Sequence, residues 1–174
     1  MKKFFLLSLL LALFMGKVVA QDAVQVLPEI NIKDLTGKTV STADFQNDGK
    51  PIIISFWATW CKPCILELNT IAEEYSEWVE ESGVKLIAIS IDDARNASKL
   101  APFVEGRSWE YEDYIDENSD LNRALKVNNV PHTFLLNANK EVVWNHNSYS
   151  PGDEGELREL VKQLAETGKV APKE

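Results

Sequence analysis

Cysteine and histidine are scarce: the 174-residue chain has two of each. A scaffold stapled by several disulfides is excluded, and at 45% apolar residues the chain has material for one real core without it. Basic residues are in deficit, with 18 Lys and Arg against 27 Asp and Glu and a formal charge of −9. Such a balance disfavours nucleic acid and anionic membrane surfaces as partners. No glycine-rich phosphate loop, internal repeat or low-complexity tract is present. Long apolar runs are missing outside the first twenty residues.

Those twenty residues stand apart. Lys2 and Lys3 form a positive start, Phe4 to Met15 is apolar except for Ser8, and Val18-Val19-Ala20 offers compact residues before a cut. The pattern predicts a secretory signal peptide over 1–20, cleaved after Ala20. The apolar run is shorter than the roughly 20 residues of a spanning helix, so a retained anchor is disfavoured. No cysteine lies near the cut, which excludes a lipid-modified cysteine at the mature end. Losing Lys2, Lys3 and Lys17 makes the mature chain three charges more acidic. The expected arrangement is a domain over 21–168 and a tail over 169–174. The expected location is outside the cytoplasm, in a periplasm, with no stable membrane insertion after cleavage.

The cysteines, Cys61 and Cys64, are three positions apart. A bridge closing so short a loop removes little chain entropy and stabilises weakly. In an exported chain a lone tight pair is better suited to reaction than to structure.

Hydropathy patterning supplies the setting. Gln21 to Pro28 has no strong pattern and reads as a loose lead. Glu29 to Leu35 alternates, and with Thr39-Val40 across the Thr36-Gly37-Lys38 turn it predicts an N-terminal hairpin. Ile52 to Trp57 is a continuous β-rich run, the signature of a strand buried on both faces. From Cys64, apolar residues recur at Ile65, Leu68, Ile71, Ala72, Tyr75, Trp78 and Val79, steps of three and four that predict a helix. Pro63 suits its first turn and Gly83 its end. Val84 to Ile91 reads as a second buried strand. Asp92 and Asp93 are candidate caps for a helix towards Leu100 that Pro102 bends or ends. A strand over Trp109–Ile115, a short helix over Asn118–Lys126, strands over Thr133–Leu136 and Glu141–Trp144, and a helix over Asp153–Ala165 complete the order. Alternating strands and helices followed by a hairpin predict an α/β domain with a mixed sheet.

The chemistry lies at Trp60-Cys61-Lys62-Pro63-Cys64, between a strand and a helix start. Unpaired backbone N–H groups and the helix dipole favour negative charge there. Cys61 is thereby the candidate nucleophilic thiolate. Cys64, one turn in, is placed to close the ring.

Ser55-Phe56-Trp57-Ala58-Thr59-Trp60-Cys61-Lys62-Pro63-Cys64 resembles the active-site stretch of thioredoxins. Val130-Pro131-His132-Thr133-Phe134 resembles their second signature, a cis-proline before a strand facing the cysteines. The lead from Leu27-Pro28 through Gly37, and an insert before Pro131, are similar to the TlpA/ResA-like branch of exported thiol reductases, which serve cytochrome c maturation and related tasks. The resemblance implies a thioredoxin-like mixed sheet flanked by helices, with an N-terminal β-hairpin extension and a central insert. It also implies reduction of disulfide-bearing protein substrates and a membrane thiol electron donor. Trp60, Val130, Pro131 and His132 would then contact substrate, though an exposed histidine without a role also fits. Thioredoxins carry a buried Asp where this chain has Ser55. The TlpA/ResA-like branch has a Glu three residues after the second cysteine, and Glu67 stands there. Glu67 would serve Cys64 as a partly buried proton partner with a raised pKa, the alternative being a solvated helix glutamate.

No cofactor is expected. Two functional classes remain besides the reductase. A metal carrier could use Cys61, Cys64 and a histidine, His132 or His146, for copper or zinc, although related exported copper chaperones use a C-x-x-x-C spacing. A disulfide-forming oxidase would run the same thiols in the opposite direction.

Overall fold

The structure is a computed structural model and describes residues 24–170. The expected signal peptide and the last four residues of the expected tail lie outside the described residues.

The sheet is built around Ile52–Trp57 (β3), buried at every position. Strand side chains alternate between faces. Ile53 and Trp57 enter one core, and Ile52, Ile54 and Phe56 enter another on the opposite face. Lys85–Ser90 (β4) pairs parallel to β3, and Glu112–Ile115 (β5) parallel to β4. His132–Leu136 (β6) runs antiparallel to β3, and Val142–Asn147 (β7) antiparallel to β6. Asn31–Asp34 (β1) and Thr39–Ser41 (β2) form the expected hairpin. The strand order is β2-β1-β5-β4-β3-β6-β7. The hairpin therefore extends the sheet through β5, with Lys33 opposite Ile115.

Lys62–Ser82 (α1) packs its buried face of Cys64, Glu67, Leu68, Ile71, Tyr75, Trp78 and Ser82 on the first core. Two hydroxyls lock it to its neighbours: the Leu86 N–H donates to Tyr75 Oη at 2.9 Å, and Tyr111 Oη donates to the Leu68 carbonyl at 2.6 Å. Gly83 ends the helix with φ of 68°, in the left-handed region where glycine carries no Cβ penalty. Ala97–Glu105 (α2) contributes Leu100 and Val104 to the same core, and Asp120–Ala124 (α3) contributes Leu121 to the other. Asp153–Thr167 (α4) lies against α1, where Arg158 reaches Glu74, Glu77 and Glu81 at 2.8–3.0 Å.

Several expectations are corrected. Gln25 to Leu27 is not loose: the Val142 N–H donates to the Gln25 carbonyl, the Leu27 N–H donates to the Lys140 carbonyl, and Leu27 is buried. Val79 leaves the apolar face and is 40% exposed, while Glu67 takes a buried place. Pro102 sits inside α2 rather than ending it, and Asn96 rather than Asp92 or Asp93 is its N-cap. Strand β5 begins only at Glu112, because Trp109 points into the core from a loop and donates to Asn69 Oδ1 at 3.0 Å.

Leu68 and Leu66 sit on one helix with 0% and 47% exposure. Leu68→Ala should cost about 2–5 kcal/mol by leaving a cavity, while Leu66→Ala should stay within about 0.5 kcal/mol. Urea unfolding of both variants checks this contrast.

Candidate active site

After Trp57 the chain turns through Ala58, Thr59 and Trp60, and the Cys61 N–H closes the turn on the Ala58 carbonyl at 3.0 Å. Cys61 is the N-cap residue of α1, with φ −91° and ψ 96°. Its Sγ accepts from the Cys64 N–H at 3.3 Å, as a capping side chain does. The two cysteines form a disulfide in this structure. Cys61 is 5% exposed and Cys64 is sealed at 0%, so the outer sulfur is the one a partner can reach.

The second signature meets the first here. The Val130–Pro131 peptide bond is cis, and the Val130 carbonyl oxygen lies 3.6 Å from Cys61 Sγ. Pro131 is buried and Val130 half-buried, whereas Trp60, next to Cys61, is 66% exposed. Trp60 and Val130 line a shallow depression with Ile91, Asn122, Val127 and Asn129. No charged side chain lines it, in a chain with 27 acids.

Glu67, on the buried face of α1, is 5% exposed, more deeply buried than the sequence implied. Thr133 on β6 donates its hydroxyl to Glu67 Oε1 at 2.7 Å. Thr133 stands directly opposite Ser55 on β3, and their hydroxyl oxygens are 3.4 Å apart. Among the described residues, Glu67 Oε2 is buried without a hydrogen-bond partner. Desolvation is the main cause that pushes the Glu67 carboxyl up to about 7. The carboxylates of Asp153 and Glu154 at the start of α4 push the same way, and the Thr133 and Ser55 hydroxyls oppose them.

His132 is not exposed. The residue is 8% exposed, and its ring stacks on Phe134 with centroids 4.3 Å apart and lies 3.2 Å from Asn145 Oδ1 through Nε2. Burial lowers its pKa. Alternation along β6 places the ring on the face opposite Thr133 and Glu67. The structure thus brings together Cys61, Cys64, Val130 and Pro131, sets Glu67 behind them and Trp60 beside them, and turns the His132 ring away from Glu67. His146 lies 3.4 Å from Asp153 across the α4 start. Among the described residues no three His, Cys, Asp or Glu side chains gather into a metal-binding group. Nor is any helix among them long and apolar enough to cross a membrane.

The roles of three polar residues escaped the sequence reading. Thr133 bonds Glu67 across 66 positions, a pairing that only strand register reveals. Asp113 on β5 is a half-buried carboxyl, raised to about 7 by desolvation, with Oδ1 unpartnered among the described residues. Asp92 bonds Thr59 instead of capping a helix.

Residues 24–145 match the AhpC/TSA family. The thiol-disulfide oxidoreductase ResA of Bacillus anthracis is 30% identical over 134 residues, 75% of each chain. ResA of Bacillus subtilis (strain 168) is 27% identical over 132 residues, 76% of this chain and 70% of that one. A thioredoxin-like protein from Porphyromonas gingivalis superposes with a TM-score of 0.73 at 46% identity, covering 82% of this chain and 93% of that one. A thiol-disulfide oxidoreductase from Bacteroides fragilis shares the fold, with a TM-score of 0.63 at 18% identity over 78% and 99% of the two chains. Relatives in sequence and neighbours in structure converge on one assignment: the chain belongs to the AhpC/TSA family and is a ResA-like thiol–disulfide oxidoreductase of the thioredoxin fold.

Proposed function

We propose that the protein is an exported reductase of specific protein disulfides, working in a periplasm and recharged by a membrane thiol donor. The observation that carries the direction is the surroundings of Cys61 Sγ. One backbone N–H, from Cys64, donates to it, and the Val130 carbonyl oxygen lies 3.6 Å away. Pro63 supplies no N–H. A carbonyl oxygen at that distance opposes a thiolate, and a strong oxidant needs a very stable one. Little in this site makes the dithiol form unusually stable, so the dithiol readily gives up its electrons.

The cycle starts when a donor dithiol reduces the Cys61–Cys64 disulfide. The Cys61 thiolate then attacks one sulfur of a substrate disulfide, forming a mixed disulfide and releasing the other substrate sulfur as a thiolate. Cys64 loses its proton to the Glu67 carboxylate and attacks Cys61 Sγ. The internal disulfide re-forms, the second substrate sulfur leaves as a thiolate, and two electrons have passed to the substrate. Trp60, Val130 and Pro131 hold the substrate segment at the uncharged depression. Glu67 performs the proton transfer that thioredoxins assign to the Asp at the position of Ser55.

In Cys64→Ser the mixed disulfide cannot resolve, and substrate should accumulate covalently on Cys61. Peptide mapping of the trapped species checks this, and equal trapping through Cys64 in Cys61→Ser would reverse the roles.

Glu67→Gln keeps the shape and removes the proton acceptor. In the parent protein, resolution should accelerate as pH rises through about 7, where Glu67 loses its proton. The variant should lack that inflection and resolve roughly 10- to 100-fold more slowly at pH 8. Stability supplies an independent sign. The raised carboxyl favours the fold below its unfolded value near 4.5, and that contribution is lost as pH rises through about 7. Glu67→Gln should therefore gain stability relative to the parent at pH 8 and not at pH 4. Stopped-flow exchange and urea unfolding across pH read the two effects. An unchanged pH–rate profile would remove Glu67 from the cycle.

Export predicts a mature chain beginning at Gln21. Mass spectrometry of the protein from the extracytoplasmic fraction tests this, and a chain retaining Lys2 and Lys3 in the membrane would contradict it.

A further inference from the structure

Asp92 lies just past β4 and is 1% exposed. Thr59 donates to it twice, from N–H to Oδ2 and from Oγ1 to Oδ1, both at 2.8 Å. Ser90 Oγ donates to Oδ2 at 2.7 Å, and the Asp92 N–H donates back to Ser90 Oγ at 3.0 Å. Among the described residues no cation pairs with it within 4 Å. Thr59 is the second residue of the turn from Ala58 to Cys61, and its Cα is within about 7 Å of that of Cys61 by chain length alone.

We propose that Asp92 is a positioning residue for the thiol–disulfide reaction: by clamping Thr59 it fixes the turn that holds Cys61 Sγ at the N-terminus of α1. The chain of geometry is short. The cap bond from the Cys64 N–H to Cys61 Sγ requires Cys61 in its extended N-cap conformation. That conformation is set by the preceding turn, closed by the Cys61 N–H on the Ala58 carbonyl. Below the turn, the Ile91 N–H donates to the Trp57 carbonyl at 2.9 Å, so β4 already holds its base. Asp92 holds its middle. Neither oxygen of Asp92 bonds a sulfur, so it acts through Thr59. Apolar side chains would join the two loops without the desolvation cost of a buried carboxylate. What the carboxylate adds is direction, because both of its oxygens fix both donors of one residue. The neighbouring Ile91 and Trp60 line the depression beside Cys61, so the same clamp sets the shape of the surface a substrate meets.

The inference rests on Cys61 being the attacking thiol, as proposed above. Its test reads the thiol itself and is independent of the direction of electron flow. The reduced full chain and its variants Asp92→Asn, Thr59→Val and Thr59→Ser are reacted with a small aromatic disulfide across pH, with the modified cysteine mapped and thermal unfolding recorded. Asp92→Asn puts an amide N–H against a Thr59 donor, and Thr59→Val deletes the hydroxyl. Both should raise the apparent pKa of Cys61 and lower its rate at pH 7 roughly tenfold, the scale of a small misplacement. Thr59→Ser keeps both donors and should retain the parent titration. A folded Asp92→Asn or Thr59→Val protein with the parent titration and rate, however far its melting temperature falls, would overturn the inference. Should Asp92→Asn fail to fold, Thr59→Val decides. Modification at Cys64 in the parent protein would instead show the nucleophile assignment to be at fault.

Discussion

The docking of α1's first turn at the carboxyl end of β3 governs the rest of the site. β3 is buried on both faces, so its end must feed directly into an element that covers one of them. The helix that follows does this with Leu68, Ile71, Tyr75 and Trp78, and the Tyr75 and Tyr111 hydroxyls remove its freedom to slide. The N-terminal N–H groups are then fixed in space beside the loop before β6. Cys61 occupies that meeting point because it is the last residue before the helix.

The same docking buries a carboxyl. A helix that turns Cys64 towards the sheet also turns Glu67, three residues on, towards it. On the sheet below, Ser55 and Thr133 stand in register and offer hydroxyls instead of apolar groups. One of them bonds Glu67, which is too little to hold a full charge comfortably away from water. The carboxyl is therefore poised between its two forms near neutral pH, which is what proton exchange with a thiol requires. Stability and the proposed proton transfer pull in opposite directions at this residue.

Legibility in the sequence followed range. The run Ile52–Trp57, the helix with Pro63 at its start and Gly83 at its end, and the two cysteines are local patterns, and each sits where its pattern placed it. Contacts between distant segments were not legible. Thr133 carries no local sign that it will bond Glu67, because the bond depends on β6 aligning Thr133 with Ser55. Asp92 resembled a helix cap because capping is the commonest local use of an acid before a helix, and a loop 33 positions earlier claimed it instead. Val79 fits the helical period, but Trp78 and Ser82 take the covered places at that level of α1 and leave Val79 on the rim of the buried face. The extension of the sheet through β1 and β5 also depends on a pairing that periodicity cannot express.

Equilibrating the purified protein with dithiothreitol or glutathione buffers of known potential, and counting free thiols on Cys61 and Cys64, gives the reduction potential of the pair. A reductase with a thiolate as weakly supported as this one should lie near the thioredoxin end, at about −270 mV. A value near −120 mV, with rapid oxidation of reduced unfolded proteins, would make the protein a disulfide-forming enzyme and contradict the direction proposed here.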